Sequence, residues 1–283
     1  MMGEEKAVRP PSLVLARFQL SNPEFVKQTA LARIWKVRRL DGGPAALKLY
    51  DRADMGNERP GFEFLRTVSG QGVAQIFEVS ENAAVMEWLH GPSLGDLTRA
   101  NKDQEAAAHL VAVANTIHGR AAAEYRPYPI LSNWFYELFE MSVPDELSKH
   151  RKDIEAAKAL ARELLDSQSD ICALHGDLHH DNVQLGAHGY AAFDAKGVVG
   201  ERTYELANAF RNPKGASDLV KSPDRARFLR DLWAREFDVP LRRLMQWAAV
   251  KVALSIAWRC GEALQDDTEL ELLSLFLGLA EED

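Results

Sequence analysis

The sequence predicts an α+β protein in which a small N-terminal β-sheet lobe and a larger, mainly helical C-terminal lobe enclose a cleft. Three observations predict this class. Strand-like alternation dominates residues 1–89, helical patterns dominate residues 97–283, and Gly and Pro interrupt the chain in the predicted linker, residues 90–96. Since clefts between lobes are favoured ligand sites, we expect the functional residues to border this one.

Alternating apolar and polar residues predict the strands of the N-terminal lobe. After a short strand over 25–27, the alternation over 30–38, which includes Trp35, predicts a longer one. The turn Asp41-Gly42-Gly43-Pro44 and a strand over 45–50 make this a hairpin. The other predicted elements are a helix over 62–68 and strands over 73–79 and 83–88.

The C-terminal lobe is predicted to be helical around one segment with short strands, residues 171–198. Helical spacing of apolar residues predicts helices over 104–123, 134–141, 149–167, 225–237, 241–264 and 268–280. In the helix over 241–264, a stripe that includes Leu244, Ala248, Lys251 and Trp258 lies near one face. We interpret this stripe as core.

Composition limits the possible partners and compartments. The chain of 283 residues has formal net charge −8, which argues against nucleic acid and permits a cationic substrate, although mild acidity also serves solubility alone. No apolar run reaches the length of a bilayer span, and the first residues lack the apolar core of a signal peptide. Cys172 and Cys260 are the only cysteines, so no disulfide framework is indicated and we expect a cytoplasmic protein. We also expect a monomer or homodimer without membrane partners.

The most informative segment is Leu174-His175-Gly176-Asp177-Leu178-His179-His180-Asp181-Asn182-Val183. Asp177 precedes Asn182 by the spacing H-x-D-x-x-x-x-N of a kinase catalytic loop, and Asp194 follows a short apolar run. This pattern predicts Asp177 as the base that takes a hydroxyl proton, and Asn182 and Asp194 as Mg²⁺ ligands. An Asp after Gly is usually a turn residue, but the joint pattern favours function.

The N-terminal lobe, residues 1–89, is predicted to bind ATP. Lys48 in Ala-Leu-Lys-Leu is similar to the strand lysine that contacts phosphates, and either Glu58 or Glu63 could pair with it. In place of a glycine-rich loop, Thr29 and nearby backbone N–H groups could reach a phosphate. The backbone of a predicted hinge would contact adenine, in the residues Glu87, Trp88 and Leu89.

Two other functions remain open at this point. His175, His179 and His180, with the neighbouring aspartates, have the ligand types of a metal-dependent hydrolase. Without a glycine-rich loop, the chain could also be a nucleotide-binding protein that does not turn over. We interpret His175 as a structural residue that hydrogen-bonds the loop, and His179 or His180 as packing against it or lining it.

The segment 175–182 resembles the H-G-D-x-x-x-x-N signature of aminoglycoside phosphotransferases and their choline-kinase and fructosamine-kinase relatives. The segments 193–200, 204–207 and 211–213 resemble the streptomycin 6-kinase and hydroxyurea phosphotransferase branch. The resemblance implies a protein-kinase-like fold with a catalytic and acceptor-binding C-terminal lobe, and supports the roles given above. It also implies that Lys196 lies near the transferred phosphate or the substrate, and that Arg211 stabilises the loop or contacts substrate.

The predicted reaction is therefore ATP- and Mg²⁺-dependent transfer of the γ-phosphate to a hydroxyl of a small-molecule acceptor. An aminoglycoside-like compound and a metabolite alcohol or sugar are both compatible with the sequence, because acceptor choice does not reside in the shared loop. The aromatic-rich residues 125–129 and Trp134 could line an acceptor pocket, although packing is the commoner role of such residues.

Overall fold

The computed structural model describes residues 9–70, 72–121 and 128–282. Its N-terminal part is a five-stranded antiparallel sheet in the order β1-β2-β3-β5-β4, accompanied by two helices. The elements are α1 (Ser12–Arg17), β1 (Ser21–Gln28), β2 (Ala32–Arg38), β3 (Pro44–Tyr50), α2 (Arg59–Val68), β4 (Ile76–Val79) and β5 (Ala83–Glu87).

The predicted hairpin of the N-terminal lobe is formed by β2 and β3, with Ile34 opposite Lys48 and Trp35 opposite Leu47. Successive side chains of a strand point to opposite faces of the sheet. Trp35 and Leu47 are accordingly buried in an apolar cluster on one face. Ile34 and Lys48 lie on the other face, where they border a cavity.

The remaining chain is mainly helical, with two short two-stranded sheets, β6 with β9 and β7 with β8. The long helix α9 is buried over most of residues 244–257 and contacts its neighbours on several sides, as expected for a helix that is apolar almost all round there. The elements are α3 (Leu94–Arg99), α4 (Asp103–Ala121), α5 (Tyr136–Glu140), α6 (Arg151–Asp166), β6 (Ile171–Leu174), β7 (Val183–Gly186), β8 (Gly189–Ala192), β9 (Val198–Glu201), α7 (Ser217–Val220), α8 (Pro223–Glu236), α9 (Leu241–Cys260) and α10 (Leu270–Leu279).

This architecture confirms the predicted α+β class, and most errors concern element ends. The strand predicted from 73 begins at Ile76, since Val73 makes only an isolated bridge with Ala192. The helix predicted to 264 ends at Cys260, where Gly261 adopts φ +74°. The last residues of the helix predicted over 104–123 lie outside the described ranges.

The small sheets position the two predicted functional segments. The segment with Asp177 connects β6 to β7, and the segment with Asp194 connects β8 to β9. In the described part of the chain, no helix is both long enough and apolar enough to cross a membrane.

Candidate active site

The loop that carries Asp177 is anchored by Glu205, which lies in the 3₁₀ segment Arg202–Arg211. The backbone N–H groups of His175 and Gly176 donate to its two carboxylate oxygens, at 2.8 and 2.9 Å. His118 Nε2 lies 2.8 Å from the same carboxylate. Burial would raise the pKa of Glu205, but these partners outweigh burial and lower it. Glu205 is therefore a buried anion that fixes the start of the loop.

The His175 side chain joins the loop to the second predicted segment. Its Nδ1 accepts a hydrogen bond from the Asp177 N–H at 3.3 Å, and its Nε2 lies 3.1 Å from the Phe193 carbonyl oxygen. Complete burial lowers the pKa of His175 and favours the neutral ring. A neutral ring with an accepting Nδ1 carries its proton on Nε2, so it donates to Phe193.

The Asp177 carboxylate is oriented by two amides. Asn208 Nδ2 donates to one oxygen at 2.7 Å, and Asn182 Nδ2 approaches the other at 3.3 Å. Arg211 in turn donates to Asn208 Oδ1 at 3.1 Å and pairs with Glu269 at 2.7 Å. Of the two roles implied for Arg211, this geometry supports stabilisation of the loop through Asn208.

Lys48 lies between two carboxylates. Its Nζ is 2.8 Å from Asp194 Oδ1 and 3.2 Å from Glu58 Oε2. Burial would lower the pKa of Lys48, but Asp194, Tyr50 and Glu58 raise it above its ordinary value. Glu63 instead pairs with the exposed Arg59 of its own helix, at 3.3 Å. Of the two glutamates that the sequence left open, the structure brings Glu58 to Lys48.

Asp194 is held as an anion by the lysines around it. Burial would raise its pKa, but Lys48 and Lys196 outweigh burial and lower it to about 2. Lys196 itself forms an ion pair with the second oxygen of Glu58. Glu58 therefore links the lysine of the N-terminal sheet to the lysine that follows Asp194.

Two glycines allow α2 to approach this segment closely. A Cβ at Gly61 would overlap the Ala195 carbonyl oxygen, and one at Gly197 would overlap the Pro60 carbonyl oxygen. Gly197 also has φ +65°, which favours glycine. This close contact places Glu58, immediately before α2, beside Lys48 and Lys196.

A small cavity of about 90 Å³ borders the Lys48 and Asp194 side chains. Thr29 lines it, but its hydroxyl already donates to the Ala32 carbonyl oxygen at 3.0 Å. Met86, which directly precedes the predicted hinge, lines this cavity, whereas the hinge residues Glu87, Trp88 and Leu89 do not. The Leu89 carbonyl oxygen accepts from Gln184 Nε2 at 3.2 Å.

A larger cavity of about 480 Å³ borders Asp177. The predicted Trp134 lines it, whereas Tyr128 is buried against Phe64, and residues 125–127 lie outside the described ranges. The cavity is lined by Asn57, Pro129, Asn133, Trp134, Glu137, Gly176, Asp177, Lys196, Lys251 and Trp258. Lys251, interpreted from the sequence as part of a core stripe, therefore faces this cavity.

The donor set suits a magnesium ion bound together with a nucleotide. The Nδ2 group of Asn182 faces Asp177, which leaves its amide oxygen as a candidate ligand, and the ionised Asp194 offers a second one. Mg²⁺ in such sites takes one or two protein oxygens, and phosphates and water complete its shell. Asn182 and Asp194 fit this pattern in number and in chemistry.

The histidines of the loop do not converge on a metal centre. His179 Nδ1 accepts from the Asp181 N–H at 3.2 Å, and the His180 ring is fully buried about 6 Å from Trp233. Across residues 9–70, 72–121 and 128–282, no group of three or more His, Cys, Asp or Glu side chains could hold a metal ion. The described residues therefore contain no metal-binding centre of the kind that a metal-dependent hydrolase would need.

Solved structures of small-molecule kinases have the same fold. Amicoumacin kinase hAmiN, in complex with AMP-PNP, Ca²⁺ and Ami, matches with TM-score 0.63 and 12% identity, over 99% of this chain and 96% of its own. A thermostable mutant of aminoglycoside phosphotransferase APH(4)-Ia, in a ternary complex with AMP-PNP and hygromycin B, matches with TM-score 0.59 and 13% identity, over 95% and 96%. These likenesses show the protein-kinase-like fold.

The fold, together with sequence relatives, defines a small-molecule kinase. More particularly, the chain belongs to the aminoglycoside/hydroxyurea antibiotic resistance kinase family, whose model matches residues 17–262. Streptomycin 3″-kinase from Klebsiella pneumoniae is 31% identical over 224 residues, which cover 77% of this chain and 81% of the relative. The family resemblance inferred from the motifs is confirmed.

Sequence reasoning gave no site role to three residues that the structure brings to the loop or its cavity. Glu205 and Asn208 hold the loop from a 3₁₀ segment, and Lys251 reaches the cavity from α9. Glu205 stands within the segment 204–207, and the family resemblance of that segment is the signal in the sequence that points to it. Lys251 stands in an apolar helical pattern, which conceals its role.

Replacing Glu205 with Gln is expected to destabilise the protein by about 3 kcal/mol, since it breaks a buried, charge-assisted network. The pKa of Glu205 is lowered in the folded state, so its contribution is present above the pKa of the unfolded chain and is lost as pH falls through the folded value. Urea unfolding at neutral pH measures the effect, with the exposed Glu146→Gln as control. Equal stability of the two variants would contradict the anchoring role.

Proposed function

We propose that this kinase transfers the γ-phosphate of ATP, as its Mg²⁺ complex, to a hydroxyl group of a small-molecule acceptor. The observation that carries the proposal is the link between the two cavities. Lys48 and Asp194 line the smaller one, Asp177 and Lys196 line the larger one, and Glu58 binds both lysines. A nucleotide in the first and an acceptor in the second would meet at these charged groups.

We assign nucleotide binding to residues 1–89, a linking role to 90–96, and catalysis with acceptor binding to 97–283. Lys48 would donate to the nucleotide phosphates. In the hinge, the Glu87 N–H donates to Gln75 and the Leu89 carbonyl oxygen accepts from Gln184. The N–H groups of Trp88 and Leu89, which have no acceptor among the described residues, would donate to adenine. Thr29 would contribute backbone groups near the phosphates, because its hydroxyl is engaged.

Asp177 would orient the acceptor hydroxyl and accept its proton as the new bond to phosphorus forms. Both of its oxygens are held by neutral amides, which fix the direction of the carboxylate. Asn182 and Asp194 would hold Mg²⁺, which neutralises negative charge on the phosphates. Lys196 would lie beside the transferred group, since it borders the larger cavity.

ADP release measured with a panel of aminoglycosides, sugars and metabolite alcohols tests this function. We expect Mg²⁺-dependent ADP release with at least one acceptor, and a thermal stabilisation by ATP that is larger when Mg²⁺ is present. At a ligand concentration of about 100 Kd, the stabilisation is about 2.7 kcal/mol. Stabilisation without ADP release on any acceptor would favour a nucleotide-binding protein that does not turn over. Cytoplasmic location and a monomeric or homodimeric state stay predictions from the sequence.

A further inference from the structure

Lys251 is a buried lysine in the wall of the larger cavity. Only 2% of the residue is exposed, and no hydrogen-bond acceptor among the described residues pairs with its ammonium group. Its Nζ lies 4.3 Å from the ring centroid of Trp258, 5.8 Å from that of Trp134 and 5.9 Å from that of Tyr204. The ring faces attract the positive charge but offer no acceptor atom. The three N–H donors are therefore unmatched, and an oxygen can reach them from the cavity.

Asp177 balances the charge of Lys251 across this cavity. Burial lowers the pKa of Lys251 to about 8, and the Asp177 carboxylate is the largest influence that opposes this shift. The two groups both line the cavity but form no direct ion pair. Lys196, a second lysine of the lining, is instead paired with Glu58. Lys251 therefore needs no negative charge from the acceptor, and an uncharged oxygen that accepts a hydrogen bond is enough.

Trp134 connects the surroundings of Lys251 to the loop that carries Asp177. It packs against Gly176, where a Cβ would lie 2.9 Å from Trp134 Cη2. The same ring contacts Trp258 edge to face, with centroids 5.7 Å apart. Aromatic walls favour contact with a ring or a carbon skeleton. A ring-shaped acceptor that packs on the tryptophans can therefore present one oxygen to Asp177 and another to Lys251.

The remaining charges of the lining do not decide the overall charge of the acceptor. Glu137, an exposed carboxylate on α5, makes no ion pair with any described residue. Together with Asp177, it permits ammonium groups on other parts of the acceptor. An ammonium group beside Lys251 would instead bring two cations together. The lining therefore discriminates between positions within one acceptor.

We propose that Lys251 is a specificity-determining residue that donates a hydrogen bond to a second hydroxyl oxygen of the acceptor, on the same ring as the hydroxyl that is phosphorylated. This inference rests on the proposed phosphoryl transfer and names the substrate class of that same site, a ring with at least two hydroxyl groups. The hydrogen bond from Lys251 fixes the ring so that the other hydroxyl meets Asp177.

Acceptors that differ by one oxygen test the inference. The probes are the most active acceptor of the panel described above and two neutral ring compounds, methyl glucoside and myo-inositol, each with its mono-deoxy derivatives. We expect removal of one particular hydroxyl, distinct from the one phosphorylated, to lower kcat/KM by about tenfold or more, because a charged donor then loses its acceptor. An amine at that position should cause at least the same loss.

Variants of Lys251 assign this loss to its side chain. In Lys251→Met, kcat/KM for the parent acceptor should fall by a similar factor, KM for ATP should stay unchanged, and the same deoxy derivative should lose nothing further. Lys251→Arg keeps a charged donor and should retain part of the discrimination. Lys152→Met, at an exposed lysine of α6, is the control and should behave like the original protein. If every deoxy derivative loses as much in Lys251→Met as in the original protein, the inference is overturned.

Calorimetric binding of the same probes without ATP separates this inference from the proposed function. Weaker binding of a parent compound by Lys251→Met, with equal binding of one deoxy derivative by both proteins, supports the role of Lys251. That result holds even when no probe is phosphorylated, which would contradict the proposed transfer instead. Equal binding of all probes by both proteins, or no binding of any probe, would overturn the inference. Methionine is apolar and suits the aromatic surroundings, and thermal unfolding of each variant checks that the fold is retained.

Discussion

Replacing Asp177 with Asn should lower kcat by about 10³-fold while the affinity for Mg·ATP stays within about twofold of the original. The amide has nearly the same shape as the carboxylate but cannot accept the hydroxyl proton. Its neighbours Asn208 and Asn182 would still be present, so the loop should keep its position. Steady-state kinetics with a responsive acceptor and calorimetric titration of nucleotide measure the two quantities.

The matched control for this variant is Asp218→Asn, an exposed carboxylate on α7. We expect it to change neither quantity, which separates a local effect from a general effect of charge. A near-normal kcat for Asp177→Asn, with the correct acceptor, would mean that another group accepts the proton. Equal loss of kcat and of nucleotide affinity would indicate that the loop itself had moved.

Asp194→Asn is expected to raise the Kd for Mg·ATP by about tenfold or more, because a neutral amide is a weaker ligand for a hard cation than a carboxylate. The substitution also removes the charge that lies 2.8 Å from Lys48 Nζ. Nucleotide titrations with and without Mg²⁺ separate these effects. We expect the loss to be large with the metal and small without it.

The pKa of Asp194, about 2, gives this prediction a pH dependence. The folded value lies below the ordinary value of 3.8, so the carboxylate is ionised above that value and loses its charge only as pH falls towards 2. Metal-dependent nucleotide affinity should therefore show no loss from Asp194 between pH 5 and 8. Asp51→Asn, at an exposed ion pair with Arg33, is the control, and similar Kd values for both variants would exclude Asp194 as a metal ligand.

Local patterns were enough to predict the N-terminal hairpin and the spacing of the loop. The alternation around Trp35 fixes which side chains of β2 are buried, and the pairing with β3 then sets the direction of Lys48. The interval from Asp177 to Asn182 lies within one loop, so tertiary structure does not alter it. Such features depend on neighbours in sequence, and a single sequence reveals them.

The partner of Lys48 could not be predicted, because it depends on a contact between distant segments. Glu58 stands in a 3₁₀ turn before α2, where helical spacing gives no direction for its side chain. The close approach of Gly61 and Ala195 brings it to the site. Glu63, one turn into α2, is directed outward to Arg59.

Lys251 shows why a helical pattern can conceal a residue that lines a cavity. It occupies a core-facing position of α9, and its neighbours on that helix are fully buried. The pattern correctly indicates that the position is inaccessible to bulk water. It does not show that the position faces a cavity, because the other walls of that cavity come from distant segments, among them the 3₁₀ segment Leu131–Phe135 and the loops after β6 and β8.

Detection of the phosphorylated acceptor by mass spectrometry, with ADP measured in the same reaction, tests the central proposal most directly. We expect the acceptor to gain one phosphoryl group for each ADP released, only with Mg²⁺ present, and both signals to be lost in Asp177→Asn. Mg·ATP binding accompanied by no phosphorylated acceptor, or by product formed equally well in Asp177→Asn, would contradict it.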